Sequence, residues 1–240
     1  MPFQRSILRS EAGKEHAMGT HVTLTASDGH GFTAYLATPA GAPRGGIVVV
    51  QEIFGVNRHI RGVADRFAAA GYAALAPALF DRAERDVEVG YDEASIAKGR
   101  AVRQRVPYDD VLRDTAAAVT ELRRFGKVGL VGYCWGGSIA WLAACRPVPG
   151  LAAAVGYYGG DIANRLNERP KVPLMLHFGE RDAHIPAEAV ARIRAAAPDV
   201  PVYTYPAGHG FNCDERKDYD AASADAARER TLAHFAQHVG

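Results

Sequence analysis

Two hydrophobic periods take turns along this chain. From His21 to Thr25 apolar and polar positions alternate, Ser27-Asp28-Gly29-His30-Gly31 reads as a turn, and Phe32 to Ala37 alternates again before Pro39. A period of two bounded by turn residues predicts an antiparallel hairpin at the edge of a sheet. Past a Gly/Pro/Ala loop (Pro39 to Gly46), Ile47 to Gln51 is a largely β-branched run, the mark of a strand covered on both faces. From Asn57 the period becomes helical. Ile60, Val63, Ala64, Phe67 and Ala68 fall on one face, and Gly71 stands where a helix ends.

The alternation continues to the C-terminus. Strands are expected at Tyr72 to Pro77, Lys127 to Tyr133, Leu151 to Tyr157, Val172 to Phe178 and Pro201 to Tyr205. Helices are expected at Tyr108 to Phe125, Trp135 to Cys145, Pro186 to Ala197 (with proline at its start) and Ala221 to Val239. Strands and helices in strict turn imply parallel βαβ units. The expected fold class is α/β, a doubly wound and mostly parallel sheet with flanking helices and an N-terminal antiparallel hairpin. Val87 to Arg105 is charged and poorly periodic. It reads as a connecting excursion with a helical part, too short for a cap domain, so the top of the sheet is expected to be open.

Composition narrows the class of function. The 240 residues are 48% hydrophobic and 23% charged, which excludes general disorder. Lys+Arg 28 against Asp+Glu 27 gives a net charge of +1, the wrong balance for a nucleic-acid or membrane-surface binder. Apolar runs such as Ile47-Val48-Val49-Val50 are far below the ~20 residues of a bilayer span. Residues 1–17 carry Arg5, Arg9, Glu11, Lys14 and Glu15 without an apolar stretch, so no secretory signal is read there. They are expected to be a flexible extension ahead of one domain at 18–240, with Met18-Gly19 a candidate internal start. Three cysteines without a CxxC pair point to neither a disulfide framework nor a zinc finger, and the expected location is cytoplasmic.

The sharpest chemical signal is Val128-Gly129-Leu130-Val131-Gly132-Tyr133-Cys134-Trp135-Gly136-Gly137. An apolar strand runs into Gly-x-Cys-x-Gly and an Ala-rich helix follows, the pattern of a nucleophile elbow with cysteine in the usual serine place. Such a turn forces its central residue into a strained conformation, and side chains two before or two after would collide. The sulfur then stands over a helix N-terminus, whose dipole favours a thiolate. A buried inert cysteine is the plain alternative, and the elbow context argues against it. A dinucleotide loop fits badly, because Gly-x-Gly-x-x-Gly after the first strand is missing.

An elbow nucleophile needs an acid and then a histidine, in that chain order. Asp182 follows the strand Val172 to Phe178, and His209 lies in Tyr205-Pro206-Ala207-Gly208-His209-Gly210-Phe211 after the last strand. In that reading His209 takes the thiol proton, and Asp182 holds the ring's tautomer and stabilises its charged form. Glu180 is the nearest rival acid and His177 a weaker rival base. His234 and His238, at i and i+4 on the last helix, have metal-binding spacing but no third ligand, and read as a solvated face. Cys145 and Cys213 belong to no motif and default to structure.

These segments resemble the dienelactone hydrolases (carboxymethylenebutenolidases) of the α/β-hydrolase fold. The resemblance runs from about Met18 to the C-terminus. It rests on Gln51-Glu52-Ile53-Phe54-Gly55, Asp65 through Gly71-Tyr72 to Ala76-Pro77, the Cys134 elbow, Gly179-Glu180-Arg181-Asp182 and Gly208-His209-Gly210-Phe211. It implies a triad of Cys134, His209 and Asp182, with Glu52 touching the resting thiol and swinging away when substrate enters. It also implies an oxyanion hole from the backbone N–H groups of Trp135 and Ile53. Arg82 aligns with the family arginine that holds a substrate carboxylate. The second such arginine is replaced here by Cys213, with Arg216 three residues on as a substitute. The expected partner is thus a small lactone or ester, anionic and butenolide-like, cleaved through a Cys134 acyl-enzyme without cofactor or metal, by a monomer or small homo-oligomer. A broad ester or thioester hydrolase on the same residues, and a non-catalytic ligand-binding or thiol redox-sensing protein, are the two rivals.

Overall fold

The structure is a computed structural model that describes residues 19–240; the expected extension and internal start lie outside the described residues. Strands β1 (Thr20–Thr25) and β2 (Gly31–Ala37) form the hairpin. There follow β3 (Gly46–Val50), α1 (Arg58–Ala69), β4 (Ala73–Pro77), α2 (Glu93–Gln104), α3 (Tyr108–Leu122) and β5 (Val128–Tyr133). The chain continues through α4 (Trp135–Cys145), β6 (Leu151–Tyr157), β7 (Leu174–Gly179), α5 (Ala187–Ala196), β8 (Val202–Tyr205) and α6 (Ala221–His238). Asn57 caps α1, its side chain accepting from the Ile60 N–H at 3.2 Å. Past the end of that helix Gly71 has φ +94°, a value that costs glycine little.

All eight strands form one sheet in the order β1-β2-β4-β3-β5-β6-β7-β8, antiparallel at β1–β2 and β2–β4 and parallel elsewhere. The chain winds outward from β3 to β4, then returns across β3 to place β5 on its other side. This reversal opens a crevice between the C-terminal ends of β3 and β5, where α/β folds take ligands. Both faces are covered, and alternate residues of β3 serve two cores. Ile47 and Val49 join Ile60, Phe67 and Phe235 on the side of α1 and α6, where Phe67 meets Phe235 edge-on at 6.0 Å. Val48 and Val50 join Val111, Val119 and Leu122 of α3 on the opposite side.

The weakly patterned stretch after Val87 contains a full helix, α2, capped by Asp92, whose carboxylate accepts from the Ser95 N–H at 2.8 Å. Gly99 seats it: a Cβ there would lie 2.0 Å from the Ile53 carbonyl oxygen. Helix α2 therefore rests directly on the loop after β3, with Arg100 and Arg103 lining the crevice and Lys98 paired with Glu84 at the surface. That is why its apolar period is weak in the sequence.

The turn after β5 is the tightest point of the sheet. Cys134 has φ +54° and ψ −112°, and a Cβ on Gly132 would stand 1.9 Å from the Gly136 carbonyl oxygen. Gly132→Ala is expected to lower stability by about 3 kcal/mol, the upper range for overpacking, because backbone rather than a flexible side chain must move. Urea unfolding measures it, and an unchanged midpoint would mean the turn is looser than described.

Candidate active site

Strand ends position Cys134, Asp182 and His209. Cys134 lies between β5 and α4, its N–H bonded to the Tyr157 carbonyl at 3.0 Å and its side chain raised above the sheet. Its Sγ is 3.2 Å from His209 Nε2. His209 stands on the loop after β8, and its Nδ1 is 2.7 Å from Asp182 Oδ2, on the loop after β7. The other Asp182 oxygen accepts from the N–H groups of His184 (2.8 Å) and Ile185 (3.2 Å), which fixes the carboxylate's angle. The rival acid Glu180 is exposed. The rival base His177 is buried in the core, tied to Tyr205 Oη at 2.8 Å and Thr231 Oγ1 at 3.2 Å, and burial pushes its ring down to about 3.

The surroundings of the His209 ring favour its charged form. Burial alone would lower the His209 ring, but its electrostatic interaction with Cys134, its hydrogen bonds to Asp182 and Cys134, and the Asp182 charge hold it up at about 10. At the other two cysteines, Cys145 and Cys213, burial, joined at Cys213 by the charge of Glu52, pushes the thiols up to about 12. Cys134 also sits at the N-terminus of the eleven-residue α4, where unpaired N–H groups and the helix dipole favour an anion. Among the described residues, the backbone N–H groups of Trp135 and Ile53 have no protein acceptor.

Sulfur and imidazole open onto a cavity of about 370 Å³, within the range for small-ligand sites. Its wall includes Ile53, Phe54, Trp135, His184 and Arg216, and α2 contributes Ile96, Arg100, Arg103 and Gln104. Arg103 is bound to Asp161 at 2.5 Å, and Tyr108 bonds the same carboxylate. Arg100 forms no ion pair among the described residues and leaves the cavity cationic. Nothing in the local sequence marks Arg100 or His184 as site residues. Only the seating of α2 and the turn after β7 bring them there; the His184 ring packs edge-on to His209 at 5.1 Å. Tyr158, strained at φ +37° and packed 5.1 Å from His209, is equally unmarked.

Three expectations need correction. Arg82 does not line the cavity: its Nε and Nη2 bond Asp114 at 3.0 and 2.6 Å, and its Nη1 bonds Asp28 at 2.6 Å. Asp114 is fully buried, and desolvation raises its carboxyl despite the pairing, so the guanidinium is needed where it is. Glu52 touches Arg216 rather than the thiol, its Oε1 3.3 Å from Nη1, while Oε2 is buried without a partner. Gly210 (φ +80°) makes that contact feasible, since a Cβ there would meet Arg216 Nη1 at 2.6 Å. Finally, His234 is buried rather than solvated, with its ring 4.7 Å from that of His238 and its basicity lowered to about 4 by burial. Arg216, by contrast, is at the cavity wall.

A doubly wound sheet with a sharp strand-to-helix turn after its central strand is that of an α/β-hydrolase. More narrowly, a profile of the dienelactone hydrolase family matches residues 32–239, and the chain belongs to that family of carboxylic-ester hydrolases. A carboxymethylenebutenolidase of Pseudomonas putida is 35% identical over 222 residues, covering 88% of this chain and 93% of that protein. A solved structure from Klebsiella pneumoniae, named for the same family, is 33% identical with a TM-score of 0.78, covering 91% of this chain and all of that one. A dienelactone hydrolase from Anabaena variabilis, at 18% identity and TM-score 0.67, shares the fold over 92% of this chain and 98% of its own.

The raised His209 value has a measurable sign. Since it exceeds the ordinary 6.5, the charged ring's contribution to stability is complete below about pH 6.5 and is lost as pH rises through about 10. His209 ring resonances are expected to titrate near pH 10 in the wild type and well below it in Cys134→Ala. The same titration in both proteins would remove the sulfur as the cause.

Proposed function

We propose that this chain opens small lactones and esters through a covalent thioester on Cys134. The observation that carries the reading is the continuous line from Asp182 through His209 to Cys134 Sγ, at 2.7 and 3.2 Å, ending on a cationic cavity. The sulfur attacks the carbonyl carbon while the negative oxygen forms against the N–H groups of Trp135 and Ile53. As the tetrahedral adduct collapses, the C–O bond breaks, and the leaving oxygen takes a proton from His209. For a lactone both halves stay in one acyl group. Water then gives a proton to His209 and attacks the thioester, the C–S bond breaks, and a carboxylate leaves. Asp182 keeps the ring oriented and balances its charge throughout.

The favoured substrate is an anionic, carboxymethylene-butenolide-like lactone, in keeping with the name of the Pseudomonas putida relative. Of the three arginines among the described residues that line the cavity, Arg103 is held by Asp161, and Arg100 and Arg216 take the anchoring role expected of Arg82. A substrate carboxylate that draws Arg216 from Glu52 leaves the glutamate free to handle the thiol proton. We read residues 18–240 as one such catalytic domain, cytoplasmic, acting as a monomer or small homo-oligomer; among the described residues no helix is long and apolar enough to cross a membrane.

Two experiments test this. With p-nitrophenyl acetate the wild type is expected to give a burst equal to the enzyme present and an acetyl group on Cys134 by mass spectrometry. Cys134→Ala should lose turnover by roughly 10⁴-fold or more, the scale for single nucleophiles in such units, whereas Cys145→Ala retains it. Equal rates for Cys134→Ala and wild type would end the reading. The second compares kcat/KM for a carboxylate-bearing lactone and its methyl ester. Arg216→Ala should cost the charged substrate about 2–5 kcal/mol, the scale for truncating one partner of a buried charge pair, and the ester far less. Arg82→Ala should affect both alike, through stability.

A further inference from the structure

Behind the cavity, Glu52, His59 and Cys213 come together from three separate places: the end of β3, the first turn of α1 and the loop after His209. One ligand atom from each lies within 4.8 Å of the other two, and all three residues are buried. Two of these side chains point unpartnered atoms into the protein. His59 Nε2 and Glu52 Oε2 have no hydrogen-bond partner, in residues 2% and 0% exposed. A buried acceptor without a donor is costly, and such groups call for an occupant.

The surroundings favour a cation as that occupant. Asp214 Oδ1 is 3.1 Å from His59 Nδ1; a carboxylate there accepts, so the ring proton sits on Nδ1 and the unpartnered Nε2 keeps its lone pair. A carboxylate behind the distal nitrogen is the arrangement that orients and strengthens metal-binding histidines. Sulfur, imidazole and carboxylate together suit zinc-class ions rather than magnesium or calcium. Charge also closes: Glu52 and a Cys213 thiolate neutralise a dication, His59 is a neutral ligand, and the neighbouring charges of Arg216 beside Glu52 and Asp214 beside His59 offset each other.

We propose that Glu52, His59 and Cys213 form a binding site for a zinc-class divalent cation. Binding displaces the Cys213 proton and makes a metal–sulfur bond, with no redox change. A cation there holds the Glu52 carboxylate that the proposed mechanism moves, so metal loading and turnover compete. That consequence rests on the proposed function; the site itself does not.

Cobalt(II) titrated into the purified full chain tests the site without an activity assay. One equivalent is expected to produce a thiolate-to-cobalt charge-transfer band in the near ultraviolet. The band should persist in Cys134→Ser, vanish in Cys213→Ser and need at least tenfold more cobalt in His59→Gln; zinc should displace it. His59→Gln keeps the thiol, so it remains informative if Cys213→Ser does not fold. A band that depends on Cys134 and not on Cys213 would assign the metal to the nucleophile and overturn the proposal, as would no band in the wild type.

Discussion

The turn at Cys134 is the constraint around which the rest of the molecule is arranged. A non-glycine residue at φ +54° is strained by about 1–3 kcal/mol, and it persists only because its neighbours leave no relaxed alternative. Gly132 lies against the Gly136 carbonyl, and Gly136 in turn approaches the Val50 carbonyl so closely that a Cβ would come within 2.5 Å. The backbone of β3, β5 and α4 thus meets at one point with no room for side chains. Close packing there lifts the sulfur out of the sheet, over a helix N-terminus, and beside the crevice that the strand order opens between β3 and β5. Groups from β7 and β8 need only reach the same rim.

A second layer of the structure governs where charge goes. The site contains more cations than its carboxylates neutralise, and each arginine is distinguished by its partner. Arg103 is held by Asp161, and Arg82 by Asp114 and Asp28, whereas Arg216 has a single contact at 3.3 Å and Arg100 has none among the described residues. A guanidinium that solvates a fully buried carboxylate such as Asp114 is structural in effect, because removing it leaves an uncompensated charge. One with a long, single contact at a cavity wall is available to a ligand. The same reasoning separates the cysteines. Cys134 faces imidazole and a helix terminus, while burial and the neighbouring charge of Glu52 push the Cys213 thiol up.

Much of this is written in the linear pattern. The period of two, the buried β-branched runs and the helical spacing of Ile60, Val63, Ala64, Phe67 and Ala68 are local consequences of which faces meet the core, so they determine element type and order. Gly-x-Cys-x-Gly between a strand and a helix is legible because steric exclusion at three neighbouring positions leaves few residues possible. Asp182 and His209 are legible from chain order, since each lies just past a strand end on the functional rim. Those are short-range constraints, and a sequence records them directly.

Tertiary structure decided the partners. Arg82 stands at a position that a family pattern associates with substrate, yet Asp114, 32 residues away on α3, claims its guanidinium. Glu52 could have met the thiol, but Arg216, 164 residues away, meets it first. Helix α2 reads as a charged excursion because its inner face lines a cavity and gives no apolar period; only the fit of Gly99 against Ile53 makes it part of the site. The gathering of Glu52, His59 and Cys213 has no spacing signature at all. In each case groups distant in the chain compete for one neighbour, and the outcome depends on through-space distance and burial, which residue order does not contain.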